Sequence, residues 1–240
     1  MNVQLSPKYQ DVVPKITIIT VCFNARDDLE DTIRNVAEIS YPNLEYIVID
    51  GGSTDGTVDL LLEHNHVINR WISEPDNGIY DAMNKGWLLA DCDSFIIFLG
   101  AGDKLLSVPN INWMPNSVYY GDVMLGNNIV FNSKISMFLI LGNSLHHQAL
   151  LVPKSLFSSA PFDVSFKTYA DFDLNQRLYK RKVVFTRCDT LLGYAKPDGV
   201  SANLNIDEMI SVVRKNYGLL MAMISRVYLF SIKLKHTLLS

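Results

Sequence analysis

The chain has 240 residues, of which 48% are apolar and 19% are charged, and its formal net charge is -4. This length predicts one compact domain with at most a short appendage. The 21 basic side chains against 25 acidic ones leave no global basic field, which argues against a nucleic-acid-binding protein.

The three cysteines, Cys22, Cys92 and Cys188, lie far apart, so we expect reduced thiols rather than a disulfide framework or a zinc site. Residues 1–15 are polar and contain two prolines, so we expect no secretory signal and a cytoplasmic protein. No apolar run approaches the roughly 20 residues of a membrane-spanning helix.

The first hundred residues alternate between apolar runs typical of buried strands and segments with helical periodicity. The predicted strands cover residues 16–21, 44–50, 67–72 and 94–99. The helices between them begin near Asp27, at a cap formed by Ser53 or Thr54, and near Asn77. This order predicts an α/β fold with a Rossmann-like, mostly parallel sheet and a ligand crevice at the carboxyl ends of the strands.

The second half of the chain has a looser pattern. Residues 118–123 and 128–131 are predicted to form antiparallel strands, and residues 169–180 are predicted to form a helix. We divide the chain into a main domain, residues 1–205, and a C-terminal helical tail, residues 206–240.

Polar, glycine-rich loops follow three of the predicted strands. Cys22-Phe23-Asn24 follows the first, the run from Asp50 to Gly56 follows the second, and Gly100 to Asp103 follows the fourth. Glycine allows close backbone approach to a ligand, and a helix N-terminus after Ser53 offers free N–H groups to an anion. Taken separately, the second run is equally a tight turn with a helix cap, and Asp103 is equally a solvated turn residue. The dinucleotide fingerprint and the P-loop motif are both absent.

These loops belong to longer segments in a distinctive order. They are PKITIITVCFN at 14–24, YIVIDGGSTDGT at 46–57, SEPDNGIYDAMNKG at 73–86, FLGAGD at 98–103, HHQA at 146–149 and YADFDL at 169–174. Together they resemble the family 2 glycosyltransferases of GT-A fold, over about residues 14–201. The resemblance is to the branch that builds bacterial O-antigen, capsular and colanic-acid repeat units.

The resemblance implies a hexosyl- or deoxyhexosyltransferase that acts with inversion. Its donor would be a nucleotide-diphosphate sugar, and its acceptor a polyprenyl-diphosphate-linked oligosaccharide for lipopolysaccharide or another surface polysaccharide. Residues 14–103 would form the donor-binding half and residues 104–205 the acceptor half, which carries the catalytic base. The alternative is a catalytically weak GT-A domain that binds nucleotide or glycan as a partner in an assembly complex. A nucleotidyltransferase is a third candidate, but its basic glycine loop after the first strand is missing.

The resemblance also implies a set of donor-site residues. They are Val21, Phe23, Asn24, Asp50, Gly51, Gly52, Ser53, Asp76, Asn77, Gly78, Asp81, Lys85 and His147. Many relatives have an acidic residue at the position of Gly51 that contacts uracil, so its absence leaves uracil, guanine and thymine donors open. Asp76, Asn77 and Asp81 either contact the donor sugar or order the loop. His147 either lies near the phosphates or holds a loop.

Two further carboxylates have implied roles in metal binding and catalysis. The family's metal motif is a carboxylate pair, of which this chain keeps only Asp103, beside Gly102. One carboxylate with two phosphate oxygens still makes a Mg²⁺ or Mn²⁺ site, weak without nucleotide. Asp171 aligns with the family's catalytic base, a role that contributes roughly 10²–10⁴-fold to the rate. Asp173 is its competitor and faces another direction on the helix; the alternative for Asp171 is a helix N-terminal cap.

The tail differs in charge from the rest of the chain, because no acidic residue follows Glu208. If residues 214–240 form one helix, Lys215, Arg226 and Lys233 fall within about 20° of one another and form one basic stripe, and the remaining surface is mainly Leu, Met, Ile, Val and Phe. This pattern is typical of an interfacial membrane helix. We therefore expect the protein to lie peripherally on the anionic inner face of the cytoplasmic membrane, near a lipid-linked acceptor. The alternative is a helix packed on the body or on a second subunit, so a homo-oligomer stays open.

Overall fold

The computed structural model describes residues 13–109, 113–126, 129–197 and 205–239, with side chains up to residue 233. Within these ranges the strands are β1 Ile16–Cys22, β2 Leu44–Asp50, β3 Arg70–Ser73, β4 Phe95–Gly100, β5 Lys104–Ser107, β6 Ser117–Leu125, β7 Ile129–Phe131, β8 Leu150–Pro153 and β9 Val184–Ala195. The α-helices are α1 Arg26–Ala37, α2 Thr57–Glu63, α3 Ile79–Leu89, α4 Ala170–Lys180 and α5 Ile206–Leu239. Three short 3₁₀ turns, one at Met137–Ile140 and two flanking β8, complete these elements.

The strands form one sheet in the order β3-β2-β1-β4-β8-β6-β9-β5, and β7 pairs with β6. The first four are parallel to one another, so their carboxyl ends lie at the same edge. The sheet changes direction at β8, which is antiparallel to both β4 and β6. The predicted α/β architecture with a Rossmann-like first half is confirmed.

The antiparallel pairing predicted in the second half is also confirmed, because Val123 on β6 lies opposite Phe131 on β7. Asn128, the first residue of the predicted strand, lies outside the described residues. Three strands were not predicted: β5, β8 and β9. The longest, β9, exposes residues as polar as Arg187 and Asp189, so its sequence lacks the continuous apolar run of a buried strand.

Two predicted boundaries are wrong. The third strand begins at Arg70 rather than at residue 67, because the amides of Val67 and Ile68 donate to the carbonyl of His64 in a turn. The second helix is capped by neither Ser53 nor Thr54; it begins after Gly56, whose φ is 90°. The carboxylate of Asp50 accepts the Ser53 hydroxyl and so removes it from the helix, while Asp55 accepts the amide of Thr57 at 3.1 Å.

The tail reverses its direction at Gly218, where φ is 86° and the helix is interrupted. Arg226 Nη2 lies 3.4 Å from Asp207 Oδ1, although 19 residues of straight helix would separate them by about 28 Å. The prediction of one helix with a continuous basic stripe is therefore wrong. Lys215 precedes the break and its Nζ lies 2.8 Å from both Asp163 and Asp173. Among the described helices, none has the length and apolar character needed to cross a bilayer.

Asp173 joins α4 to the first segment of α5 from a fully buried position. Its carboxylate accepts hydrogen bonds from Arg177 Nε at 2.8 Å, Lys215 Nζ at 2.8 Å and Asn216 Nδ2 at 3.0 Å. Removing one partner of a buried ion pair leaves the opposite charge without its partner, which is strongly unfavourable. Asp173 therefore acts in packing the tail against the body.

We expect Asp173→Ala to lower the free energy of unfolding by about 3–5 kcal/mol, since it leaves these cations without their buried partner. The matched control is Asp163→Ala, which removes the other, about one-third exposed, partner of Lys215 and should cost less than about 1 kcal/mol. Urea denaturation of both variants measures the difference, and equal losses would contradict the packing role of Asp173.

Candidate active site

Asn24 and Ser53 join the loops that follow β1 and β2. The amide of Asn24 donates to Ser53 Oγ at 2.7 Å, and the amide of Thr54 donates to Asn24 Oδ1 at 2.9 Å. Asn24 has a φ of 47°, in the left-handed region where Asn is among the better-tolerated residues. These bonds hold the two loops at one edge of the sheet, as the predicted crevice requires.

Asp50 shapes the turn after β2 from a fully buried position. Its carboxylate accepts from the amides of Gly52 at 3.2 Å and Ser53 at 3.0 Å, from Ser73 Oγ at 2.6 Å and from the Ser53 hydroxyl. The side chain of Val21 packs into the hydrophobic core. Both residues were predicted to line the donor site, and the structure places both side chains beneath it.

The loop between β3 and α3 is ordered by its own acidic side chains. Asp76 Oδ1 accepts the amide of Gly78 at 2.8 Å, and Asp81 Oδ2 accepts the amide of Asn77 at 2.9 Å. Lys85 lies 2.9 Å from Glu74 and donates to the carbonyl of Pro75 at 2.8 Å. Asp81 and Lys85 thus hold the loop in place, whereas Asp76 Oδ2 faces the loop after β2.

The exposed ring of Phe23 lies beside this loop at the sheet edge. It is 62% exposed although it follows a buried strand. A Cβ atom on Gly51 would lie 3.3 Å from Phe23 Cδ2 and 2.6 Å from Asp76 Oδ2. Phe23, Gly51 and Asp76, all predicted donor-site residues, are therefore neighbours.

His147 lies between the two remaining predicted site residues, Asp103 and Asp171. Its Nε2 is 4.0 Å from Asp103 Oδ2 and its Nδ1 is 3.7 Å from Asp171 Oδ2. Burial lowers the pKa of His147, but hydrogen bonding to Asp171 and the charges of both carboxylates outweigh this effect and raise the pKa above 6.5. The arrangement favours an imidazolium flanked by two carboxylates.

Asp103 is largely buried at the end of β4 and is held by three donors. Its carboxylate accepts from the amide of Gly100 at 2.8 Å, the amide of Lys196 at 2.9 Å and Gln148 Nε2 at 3.0 Å. The space beside Gly102, where the family has a second acid, is filled: a Cβ there would lie 2.5 Å from Lys196 Cδ. A side chain at position 102 would require Lys196 to move and would be strained by the left-handed φ of 90°.

A divalent cation fits this arrangement only if the donor completes its coordination. Within the described ranges no group of three or more His, Cys, Asp or Glu side chains could hold a metal ion. The buried Gln148 Oε1 has no hydrogen-bond partner there, which leaves one amide oxygen beside the Asp103 carboxylate. Oxygen ligands with substrate phosphates suit Mg²⁺.

Asp171 lies in the first turn of α4 and faces His147. It accepts the Tyr80 hydroxyl at 3.3 Å, its neighbour's amide at 2.7 Å and Asn143 Nδ2 at 3.5 Å. The N-cap position belongs to Tyr169, which removes the alternative of a capping role for Asp171. Burial and the charge of Asp171 raise the pKa of Tyr80, so its hydroxyl remains a donor.

Several contributors were not predicted from the sequence. Tyr80 lies within the quoted segment 73–86 but was not singled out, whereas Asn143 and Lys196 lie outside the quoted segments and no motif marks them. Gln148 lies within the quoted HHQA segment, so its position next to His147 was the available signal. Asp173, the competitor of Asp171, is instead bonded to α5.

Comparisons with known proteins agree with this architecture. Residues 17–103 match the model of glycosyl transferase family 2. The chain is 28% identical over 191 residues to a PGL/p-HBAD biosynthesis glycosyltransferase of Mycobacterium bovis, which covers 72% of this chain and 73% of that protein. It is 36% identical over 94 residues to TuaG of Bacillus subtilis, a glycosyltransferase provisionally assigned to teichuronic acid biosynthesis; this covers 38% of this chain and 37% of TuaG.

Among solved structures, TarS 1-349 of S. aureus in complex with UDP-GlcNAc superposes with a TM-score of 0.63 at 16% identity. The match covers 84% of this chain but 65% of TarS 1-349, slightly under two thirds of its length. The sheet and this superposition show that the chain has the GT-A fold. Within that fold, residues 17–103 carry the match to glycosyl transferase family 2.

The raised pKa of His147 predicts a pH-dependent contribution to stability. Because the folded-state pKa exceeds the unfolded value, the contribution is full below about pH 6.5 and is lost as the pH rises through the folded pKa. We expect the difference in unfolding free energy between wild type and His147→Gln to be larger at about pH 6 than at about pH 9. Urea denaturation at both pH values measures it, with the exposed His66 changed to Gln as a control; a pH-independent difference for His147→Gln would contradict the imidazolium assignment.

Proposed function

We propose that the chain transfers a sugar, with inversion, from a nucleotide-diphosphate sugar to the hydroxyl of a glycan acceptor in bacterial surface polysaccharide synthesis. The observation that carries the proposal is the placement of Asp171 opposite Asp103, with His147 between them, at the carboxyl edge of the parallel strands. The family match and the biosynthetic roles in the relatives' names support it.

Asp171 is the proposed general base. A hydroxyl is a weak nucleophile near neutral pH, so a carboxylate that accepts its proton lowers the barrier. The acceptor oxygen attacks the anomeric carbon as the bond to the nucleoside diphosphate breaks on the opposite face, and the hydroxyl proton moves to Asp171. Asn143 Nδ2 and the Tyr80 hydroxyl contact this carboxylate at 3.5 and 3.3 Å, and the Tyr80 hydroxyl also donates to the carbonyl of Thr168 at 2.6 Å.

The leaving diphosphate requires positive charge. His147, with its raised pKa, supplies some of it between the two carboxylates. Asp103 and the unpartnered Gln148 Oε1 are the proposed protein ligands of a Mg²⁺ or Mn²⁺ ion. Such an ion, when bound, would neutralise charge on the departing phosphates.

We expect Asp171→Asn to reduce sugar transfer by roughly 10²–10⁴-fold, because the amide cannot accept the proton. Its affinity for nucleoside diphosphate should be unchanged, since the substitution preserves shape. The measurement is release of nucleoside diphosphate from a panel of sugar nucleotides with a membrane acceptor extract. Asp31→Asn, an exposed carboxylate on α1, is the control.

The same assay separates enzyme from binding module. The space beside Gly102, which Lys196 occupies, favours a catalytically weak domain. That alternative would be established if the wild type binds nucleotide in the presence of Mn²⁺ but turns over no donor. Turnover unaffected by a chelator would contradict the metal role proposed for Asp103.

The second segment of α5, residues 219–239, exposes a large apolar face, for which we propose an anionic membrane surface as the partner. The most exposed of its large apolar side chains are Leu219, Leu220, Met223, Ile224, Val227 and Phe230. At 100° per residue they occupy an arc of about 140°, and Arg226 and Lys233 flank one edge of it. Ala222, Ser225 and Leu229 are buried on the opposite side. An apolar face with basic residues at its edge is typical of a helix that lies in a membrane interface.

This face is connected to the proposed base by a short segment. Phe138, which is 51% exposed, stacks on Tyr228 with 5.7 Å between the ring centroids and extends the apolar surface. Ser225 Oγ donates to the carbonyl of Leu141 at 2.6 Å, and Asn143 contacts Asp171. A membrane bound at this face would therefore bring a lipid-linked acceptor close to Asp171.

We expect the double variant Leu220→Glu, Val227→Glu to lose more than tenfold in binding to vesicles of anionic phospholipid, since two exposed apolar contacts become charged. Vesicle sedimentation measures the loss, and Leu88→Glu, an exposed leucine on α3, is the control. Unchanged sedimentation of the double variant would refute the membrane proposal. A wild-type dimer that the same double variant dissociates, with no vesicle binding, would show a second copy as the partner instead.

A further inference from the structure

We infer that Asp76 selects the nucleobase of the donor, by accepting a hydrogen bond from a ring N–H of uracil, thymine or guanine. The inference rests on the proposed function, because it concerns the same donor site. It assigns to Asp76 a contact with the base rather than with the sugar.

Phe23 provides a surface on which a base can stack. The ring is 62% exposed at the end of a buried strand, so its face is accessible to a planar ligand. Planar bases stack favourably on such rings. Stacking alone accepts every base, so selection requires a polar group at the edge of the ring.

Asp76 Oδ2 is such a group. It lies 2.6 Å from the position of a Cβ on Gly51, and Phe23 Cδ2 lies 3.3 Å from that same position. Because Gly51 has no side chain, the carboxylate of Asp76 reaches the space between the two loops. Any larger residue at position 51 would displace it.

The orientation of this carboxylate is set by the backbone. Asp76 Oδ1 accepts the amide of Gly78 at 2.8 Å. Within the described part of the chain, no hydrogen bond is made to Oδ2. One oxygen is therefore used by the loop, and the other remains as an acceptor for a ligand.

An ionised carboxylate oxygen discriminates among bases because it accepts hydrogen bonds and cannot donate one. Uracil and thymine present N3–H and guanine presents N1–H on the edge that proteins read by hydrogen bonding. Cytosine and adenine present an unprotonated ring nitrogen at the corresponding place, which would repel Oδ2. The chemistry therefore favours the first three bases and rejects the last two.

Asp76→Asn tests this directly, because the Gly78 amide should hold the Asn carbonyl and turn the Asn NH₂ toward the base. The acceptor then becomes a donor. Isothermal titration with UDP, dTDP, GDP, CDP and ADP should show a preference of the wild type for the first three. In Asp76→Asn that preference should fall by at least about tenfold, the change expected for a hydrogen bond to a charged group, and CDP should gain affinity. Glu74→Gln, which removes a charge from the same loop, is the matched control.

A second pair of variants moves the carboxylate from the loop before α3, at Asp76, to the loop after β2, at Gly51. Gly51→Asp alone should weaken binding of all five nucleotides, because its Cβ would meet Asp76 Oδ2. Gly51→Asp with Asp76→Ala should restore binding of UDP, dTDP and GDP. A cooperative thermal unfolding transition checks that each variant is folded. Unaltered base preference in folded Asp76→Asn would overturn the inference, whereas failure of the wild type to bind any of the nucleotides would overturn the proposed function itself.

Discussion

The antiparallel pairing of β4 with β8 is the constraint on which the site depends. Ile96 lies opposite Val152 and Phe95 opposite Pro153, so β8 ends beside the start of β4 and the residues that precede β8 run alongside the rest of β4. Asp103 follows β4 and His147 precedes β8, so this register brings them within 4.0 Å. His147 also lies 3.7 Å from Asp171, so the same register brings Asp171 to the site. A shift in this register would separate the donor side from the base.

Charge balance explains why these groups tolerate close packing. Two carboxylates on either side of one histidine raise its pKa, and each is also held by neutral donors: Gly100, Lys196 and Gln148 around Asp103, and Tyr80 and Asn143 around Asp171. The neighbouring Asp173 performs a different task, because it is neutralised by cations of α4 and α5. Of two acids two positions apart on one helix, Asp171 therefore faces the candidate site and Asp173 packs against the tail.

The elements predicted correctly are those whose signal is local. β1, β2 and β4 are continuous apolar runs, and α1, α3 and α4 have clear helical periodicity. The errors lie where a distant partner decides: Ser53 bonds Asp50 instead of capping α2, β9 is a strand because β6 and β5 pair with it, and the tail turns back at Gly218. A single sequence window contains none of these partners.

The sequence by itself determined the parallel half and the strand-end loops, because period and turn chemistry are local properties, and its resemblance to a family indicated the candidate acids Asp103 and Asp171. Only the tertiary structure decided which acids meet, since packing between distant segments sets that. In the folded chain Asp50 is buried and Asp173 pairs with Lys215 of the tail. Lys196 lies beside Gly102, and Asp76 lies near Phe23. A side chain's role depends on the neighbours that compete for its polar atoms, and those neighbours come from remote parts of the chain.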